Sequence, residues 1–175
     1  CAPFTNSIIW YSSRMKTKQL TFLLALTFLF LFSSSSVVFA NDLQDGWDAL
    51  KRKDYETTIR LWSPLAEQGN LEAQYWLGGM YEDGRGVPQD HQKAFSLFSL
   101  ASEQGFSYAQ YNLGVMYYNG QGVPQDYALA HMWLNICGST GSKDCVKNRN
   151  IVENKMTPSQ IEKAQEMARN WKPKK

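Results

Sequence analysis

Apolar residues recur along this chain at helical spacing, and the spacing predicts pairs of short helices. The first stripe occupies positions i, i+4, i+7 and i+8, which lie on one face of an α-helix: Ala73, Leu77, Met80 and Tyr81. The same stripe returns 36 residues later, from Ala109 to Tyr117. Between 70–105 and 106–141, fifteen positions are identical. The pattern therefore predicts a repeat protein.

Each first helix is followed by a Gly-x-Gly-Val-Pro loop and a second helix. Gly84 and Gly120 are predicted to end the first helices, because the proline further along each loop bars continuation. Asp90 and Asp126 are predicted N-caps of the second helices. The apolar positions of the two second helices are Ala94, Leu97, Phe98 and Ala101, then Ala130, Trp133, Leu134 and Cys137.

The two ends of the chain are predicted to close the stack of repeats. The part after residue 40 divides into an N-terminal capping hairpin, two repeats, and a partial repeat with a C-terminal capping helix: 41–69, 70–105, 106–141 and 142–175. Thr157, Pro158 and Gln160 carry a capping-box pattern at the start of the last helix. Two helices per unit and no strand pattern predict an all-α solenoid.

The first forty residues carry a targeting pattern. Residues 1–14 precede the first methionine, and we expect them to be an upstream extension that is not native. Residues 15–40 combine a basic start, an apolar run and a small residue at Ala40, which is the pattern of a secretory signal peptide. The expected location is periplasmic or secreted after cleavage near Ala40. The alternative is an uncleaved segment that anchors the chain in a membrane.

Charge argues against nucleic acid as a partner. The chain has 18 basic and 16 acidic residues, but Arg14, Lys16 and Lys18 lie in the first forty residues, which contain no acidic residue. The remainder has 15 basic and 16 acidic residues and a net charge of −1. Such a near-neutral body lacks the basic surface that phosphate backbones attract. We therefore expect no nucleic-acid partner.

The repeated residues resemble the Sel-one-like repeat, a relative of the tetratricopeptide repeat (TPR). The resemblance rests on the following residues and their partners 36 positions later: Leu77-Gly78, Met80-Tyr81, Gly84, Gly86-Val87, Asp90 and Ala94. It implies an α/α superhelical solenoid of TPR-like helix-turn-helix repeats. It also implies an adaptor whose first helices line a concave surface that holds a partner protein or peptide.

Two cysteines remain after the leader, and an even count in an exported chain favours a disulfide. The chain is also similar to exported, cysteine-rich members of the same family. In these, two cysteines eight residues apart join the second helix of one unit to the first helix of the next. Cys137 and Cys145 have this spacing, so the resemblance implies a disulfide between them. The alternative is a pair of buried thiols.

No catalytic, cofactor or metal site is predicted. After the leader, no serine is followed three residues later by lysine, which the usual Ser-Lys acylating enzymes require. His91 and His131 lack further ligands at a spacing suited to a metal. We expect the chain not to be an enzyme. The alternative function is a cell-envelope hydrolase or a protein that interacts with β-lactams or peptidoglycan.

One face of the first helices predicts a recognition surface. At about 100° per residue, Tyr111, Val115 and Tyr118 lie opposite the core stripe, where a helix is normally polar. The predicted partner-binding residues are these three, their neighbour, and the corresponding positions of the preceding repeat: Tyr75, Trp76, Glu82, Tyr111, Asn112, Val115 and Tyr118. The strongest candidates are the residues that differ from the preceding repeat: Asn112, Val115 and Tyr118. The alternative is that Tyr75 and Tyr111 stack on each other and serve the solenoid.

Overall fold

A computed structural model of the chain describes residues 41–174. The predicted extension 1–14 and signal peptide 15–40 lie outside the described residues. Eight helices follow one another in the described part: α1 (41–51), α2 (Tyr55–Glu67), α3 (Leu71–Asp83), α4 (His91–Glu103), α5 (Ser107–Asn119), α6 (Tyr127–Gly138), α7 (Lys143–Glu153) and α8 (Pro158–Asn170).

No residue of 41–174 lies in a strand, so the predicted all-α solenoid is confirmed. Neighbouring helices pack in chain order, α3 against α4, α4 against α5 and so on to α7. The last helix, α8, packs instead against α6 and covers the end of the stack. In this part of the chain no helix is both long enough and apolar enough to span a bilayer.

The predicted helix ends are present. Gly84 and Gly120 are the C-caps of α3 and α5, each with a φ of 70°, a left-handed conformation that glycine adopts without strain. The Asp90 carboxylate accepts a hydrogen bond from the first turn of α4 at 2.9 Å, and Asp126 does the same for α6 at 2.9 Å. Thr157 begins α8 with a complete capping box. Local side-chain chemistry therefore sets where these helices begin and end.

The predicted apolar positions of α4 and α6 are all buried. They meet the first helices at glycines: a Cβ placed on Gly78 would lie 2.8 Å from the ring of Phe98, and one on Gly114 would lie 2.7 Å from Leu134 Cγ. Both separations are too short for a real side-chain contact. Glycine at these two positions therefore allows each pair of helices to approach closely.

Two glutamines join one repeat to the next, which the sequence pattern did not predict. Gln74 Nε2 donates to the carbonyl of Ala66 at 2.9 Å, and Gln110 Nε2 donates to that of Ser102 at 3.3 Å. Both side chains are buried, with 2% and 1% exposed. Each adds a side-chain donor to a carbonyl in the last turn of a second helix, and the same carbonyls also accept from the backbone N–H groups of Gly69 and Gly105. The corresponding position in α7 is Val146.

At the interface that lacks the glutamine, the expected disulfide is present. Cys137 at the end of α6 is bonded to Cys145 at the start of α7, with their Cα atoms 5.8 Å apart. The two cysteines take the places that Ala101 and Ala109 hold one repeat earlier. A covalent bond thus joins the last pair of units where a hydrogen bond joins the earlier ones.

Candidate functional site

Two cavities lie side by side along the first helices. The larger, of about 620 Å³, opens between α3, α5 and the start of α7. The smaller, of about 200 Å³, opens between α1, α3 and α5. Tyr75 and Asn112 line both cavities, so the two adjoin. We call them together the first-helix groove.

Five of the seven predicted partner-binding residues line this groove: Tyr75, Trp76, Glu82, Tyr111 and Asn112. Val115 and Tyr118 line neither cavity. Tyr118 is half-buried, packs against the Ala130–Leu134–Val152 cluster, and contacts the ring of Tyr127 at 5.7 Å. Tyr118 is therefore only partly exposed, because α6 packs against one side of its ring. The role of all seven in binding a partner stays a prediction.

The two repeated tyrosines each contact the following unit. The ring of Tyr75 contacts Phe106 at 5.1 Å and Tyr108 at 6.1 Å. Tyr111 packs beside α6, and its hydroxyl accepts a hydrogen bond from Asn148 of α7 at 3.3 Å. Both residues thus support the stack of helices and also line the groove. The two tyrosines thus pack against other residues, and not on each other as the alternative predicted.

Tyr108 is a groove residue that the sequence analysis missed. Its side chain is 66% exposed, the most of any large hydrophobic residue in the described part, and it lines the larger cavity. In the preceding repeat the same position is Glu72. An aromatic residue in place of a carboxylate at the solvent-facing start of a helix was the available signal.

The smaller cavity lies where the first repeat has small or polar residues. Gly79 and Glu82 occupy the positions that Val115 and Tyr118 occupy in the second repeat. No atom lies within 4 Å of a Cβ placed on Gly79, so this glycine faces open space. Val115 and Tyr118, by contrast, line neither cavity. We call the smaller cavity the Gly79 recess.

The electrostatics of the recess centre on Glu82. Burial raises the pKa of this carboxyl, the charge of Asp83 raises the pKa further, and His91 offsets part of the rise. Burial also raises the pKa of Tyr75, and Glu82 adds to that effect. Arg85 forms a 2.8 Å ion pair with Asp83. Within 41–174, the Glu82 carboxylate has no hydrogen-bond or ion-pair partner.

The groove carries little that could act in catalysis. Neither cavity has histidine or lysine in its lining, so no such base stands beside Ser107 or Ser142. His131 is fully buried between α6 and α7, with Nε2 at 2.9 Å from Glu153 Oε1. Among the described residues, no three metal-ligating side chains are grouped around a common point.

Known proteins place the chain in a family. A profile of the Sel1 repeat matches residues 43–70, 71–106 and 107–136, together more than half of the chain. The first match falls on the predicted N-terminal capping hairpin. Sel1 repeats typically mediate protein–protein interaction and are generally non-catalytic scaffolds. None of the curated proteins compared matches the chain.

Two crystal structures are similar to the fold. One is c5321, a protective antigen present in uropathogenic Escherichia coli strains that displays an SLR fold. The match has 29% sequence identity and a TM-score of 0.71, and it covers 76% of this chain and 29% of the antigen. The other is a Sel1 repeat protein from Oxalobacter formigenes, with 32% identity and a TM-score of 0.60 over 64% of this chain and 87% of that one. The chain thus spans under a third of the antigen's length. By its repeats and its fold, this chain belongs to the Sel1 repeat family.

Proposed function

We propose that this chain is an exported adaptor that binds a peptide segment of a partner protein in the first-helix groove. The observation that carries the proposal is the groove's aromatic lining. Tyr108 is 66% exposed and Trp76 is 37% exposed, in a row with the half-buried Tyr75 and Tyr111. Exposed apolar surface gathered in one concave place is typical of an interaction site, and tyrosine and tryptophan dominate binding energy where they become buried.

Export is supported by two independent features. The Cys137–Cys145 bond is of the kind that persists in oxidising compartments and is rare in the cytosol. The leader pattern of 15–40 is that of a secretory signal. Rapid alkylation of the protein in intact cells, followed by intact-mass measurement, tests this. Unmodified, oxidised cysteines are expected, whereas two alkylated thiols would contradict export.

The groove is tested by site-specific photo-crosslinking on the full chain in the cells that produce it. A benzophenone amino acid replaces Tyr108 in the groove or, as the control, Leu100 on α4, which is also exposed at 48% but lines neither cavity. The expected result is a discrete protein adduct from position 108 and none from position 100. Adducts of equal yield at both positions, or only at 100, would overturn the proposal.

A further inference from the structure

The Gly79 recess is built as a pocket for one side chain. Its volume of about 200 Å³ is below the range of roughly 300–1,000 Å³ typical of small-molecule sites. Trp76 and Leu50 supply apolar walls, Gly79 leaves open space where a side chain would stand, and Glu82 supplies a carboxylate without an ion-pair partner among the described residues. The pocket therefore joins apolar walls to a single available carboxylate.

The available charge in the recess is negative. Arg85, the one basic residue in its lining, is already paired with Asp83, so Glu82 has no ion-pair partner among the described residues, although His91 lowers its pKa from a distance. Glu82 also lies in the last turn of α3, and that turn has no basic residue. The C-terminal end of a helix carries partial negative charge and favours cations. Both features disfavour an acidic ligand and favour a cationic one.

The aromatic side chains of the recess favour one kind of cationic side chain over another. The Trp76 ring is partly exposed and is held in place edge-on by Trp47 at 4.8 Å and by Tyr75 at 5.0 Å. A planar guanidinium stacks on such faces and can bond a carboxylate through two N–H groups, whereas an ammonium is a strongly hydrated point charge. Arginine fits this combination better than lysine.

We propose that the Gly79 recess receives the guanidinium group of an arginine in the bound segment, with Glu82 as its ion-pair partner and Trp76 as its stacking surface. The inference rests on the proposed function, since it specifies what the groove recognises. The raised pKa of Glu82 agrees with it, because the effects of burial and of Asp83 on this carboxyl outweigh that of His91, and an added cation would favour the charged form. In the second repeat, Val115 and Tyr118 take the equivalent places, so that repeat lacks both the open glycine position and the carboxylate.

The test uses three fluorescent pools of nine-residue peptides with degenerate flanks and a fixed central residue, arginine, citrulline or glutamate. Citrulline has nearly the shape of arginine but no charge. Affinity for the full chain is measured by fluorescence anisotropy. The arginine pool is expected to bind about tenfold more tightly than the citrulline pool, since a charge-assisted bidentate contact to a carboxylate is at stake.

Two variants test whether the preference for arginine over citrulline arises in the Gly79 recess. Glu82→Gln removes the charge, and Gly79→Val fills the recess with the residue that the second repeat carries at that position. Gly79→Val is expected to keep the fold because the space around this Cβ is open and valine favours a helix more than glycine does. Both variants should bind the arginine and citrulline pools equally. The matched control, Glu72→Gln at an exposed position of the same helix, should keep the tenfold preference.

The outcomes separate this inference from the proposed function. Loss of the arginine preference in Glu82→Gln and Gly79→Val, with the preference intact in Glu72→Gln, supports the recess as an arginine pocket. Equal binding of all pools by the unaltered chain, abolished by Tyr108→Ala, overturns the pocket but leaves the groove as a peptide site. Binding of no pool overturns both.

Discussion

Removal of the disulfide should weaken the fold by a predictable amount. The variant replaces both Cys137 and Cys145 by alanine, the residue found at the equivalent positions 101 and 109 one repeat earlier. The bond joins residues eight apart. Constraining a loop of that size in the unfolded chain gives about 2–3 kcal/mol by the loop-entropy relation. That is a large share of a total stability of roughly 5–15 kcal/mol.

Urea unfolding followed by circular dichroism measures this difference. Three samples are compared: the oxidised protein, the same protein with reductant, and the double-alanine variant. The reduced protein and the variant should both unfold at lower urea than the oxidised protein, each by about 2–3 kcal/mol in unfolding free energy. Superimposable curves for the oxidised and reduced protein would refute the reasoning.

A second change tests why the bond is present at this interface. Val146 stands where Gln74 and Gln110 donate to the carbonyl of the preceding helix. Val146→Gln in the double-alanine background should regain about 1 kcal/mol through the equivalent hydrogen bond to Gly138. A further loss of stability would show that this interface does not follow the geometry of the other two.

Three further predictions concern packing, hydrogen bonding and charge. Gly114→Ala should lower the unfolding free energy by about 1–3 kcal/mol, because the alanine Cβ would lie 2.7 Å from Leu134 Cγ. An unchanged melting temperature would contradict the tight contact between α5 and α6. Gln110→Leu should lower the unfolding free energy in urea by about 0.5–1.5 kcal/mol, since the Ser102 carbonyl loses its side-chain donor but keeps the N–H of Gly105. Unchanged stability would contradict a stabilising role for this hydrogen bond. Because burial raises the folded-state pKa of Glu82, the proton it binds stabilises the fold at low pH, and that contribution is lost as pH rises through this raised pKa. Glu82→Gln should therefore flatten the fall in melting temperature from acid to neutral pH, and identical pH profiles would contradict the burial of this carboxylate.

The caps and helix ends could be predicted from sequence because short-range chemistry determines them. Asp90, Asp126 and Thr157 cap with their own side chains, and Gly84 and Gly120 adopt a conformation that other residues avoid. Each of these signals lies within a few residues of the feature it sets. One sequence was therefore enough to place them.

The groove was only partly predictable because it depends on contacts between helices. A helical projection places Tyr118 opposite the core of its own helix, but α6 supplies Tyr127 on that side and buries it. The same projection cannot show that Gly79 faces open space, since that depends on how the neighbouring helices pack around it. Comparison of the repeats favoured Val115 and Tyr118, whereas the cavity is lined by the first-repeat residues at the same positions, Gly79 and Glu82.

The buried glutamines were missed for a related reason. Gln74 and Gln110 are polar and recur within the repeat, and recurrence alone does not distinguish a buried donor from a solvated side chain. Their partners are carbonyls of a neighbouring helix, and every residue has a carbonyl, so the sequence does not show which one accepts the hydrogen bond. Packing against that helix had to be known first.

The central claim is that partners bind in the first-helix groove. Fluorine NMR of the protein labelled with fluorotryptophan tests it most directly. Fluorotryptophan reports on Trp76 in the groove and on Trp133 and Trp171, which contact each other at 5.8 Å at the far end of the stack. When the arginine pool is titrated, the account predicts that the Trp76 resonance, assigned with Trp76→Phe, shifts while the other two stay fixed. A shift of Trp133 and Trp171 with an unmoved Trp76 would contradict it.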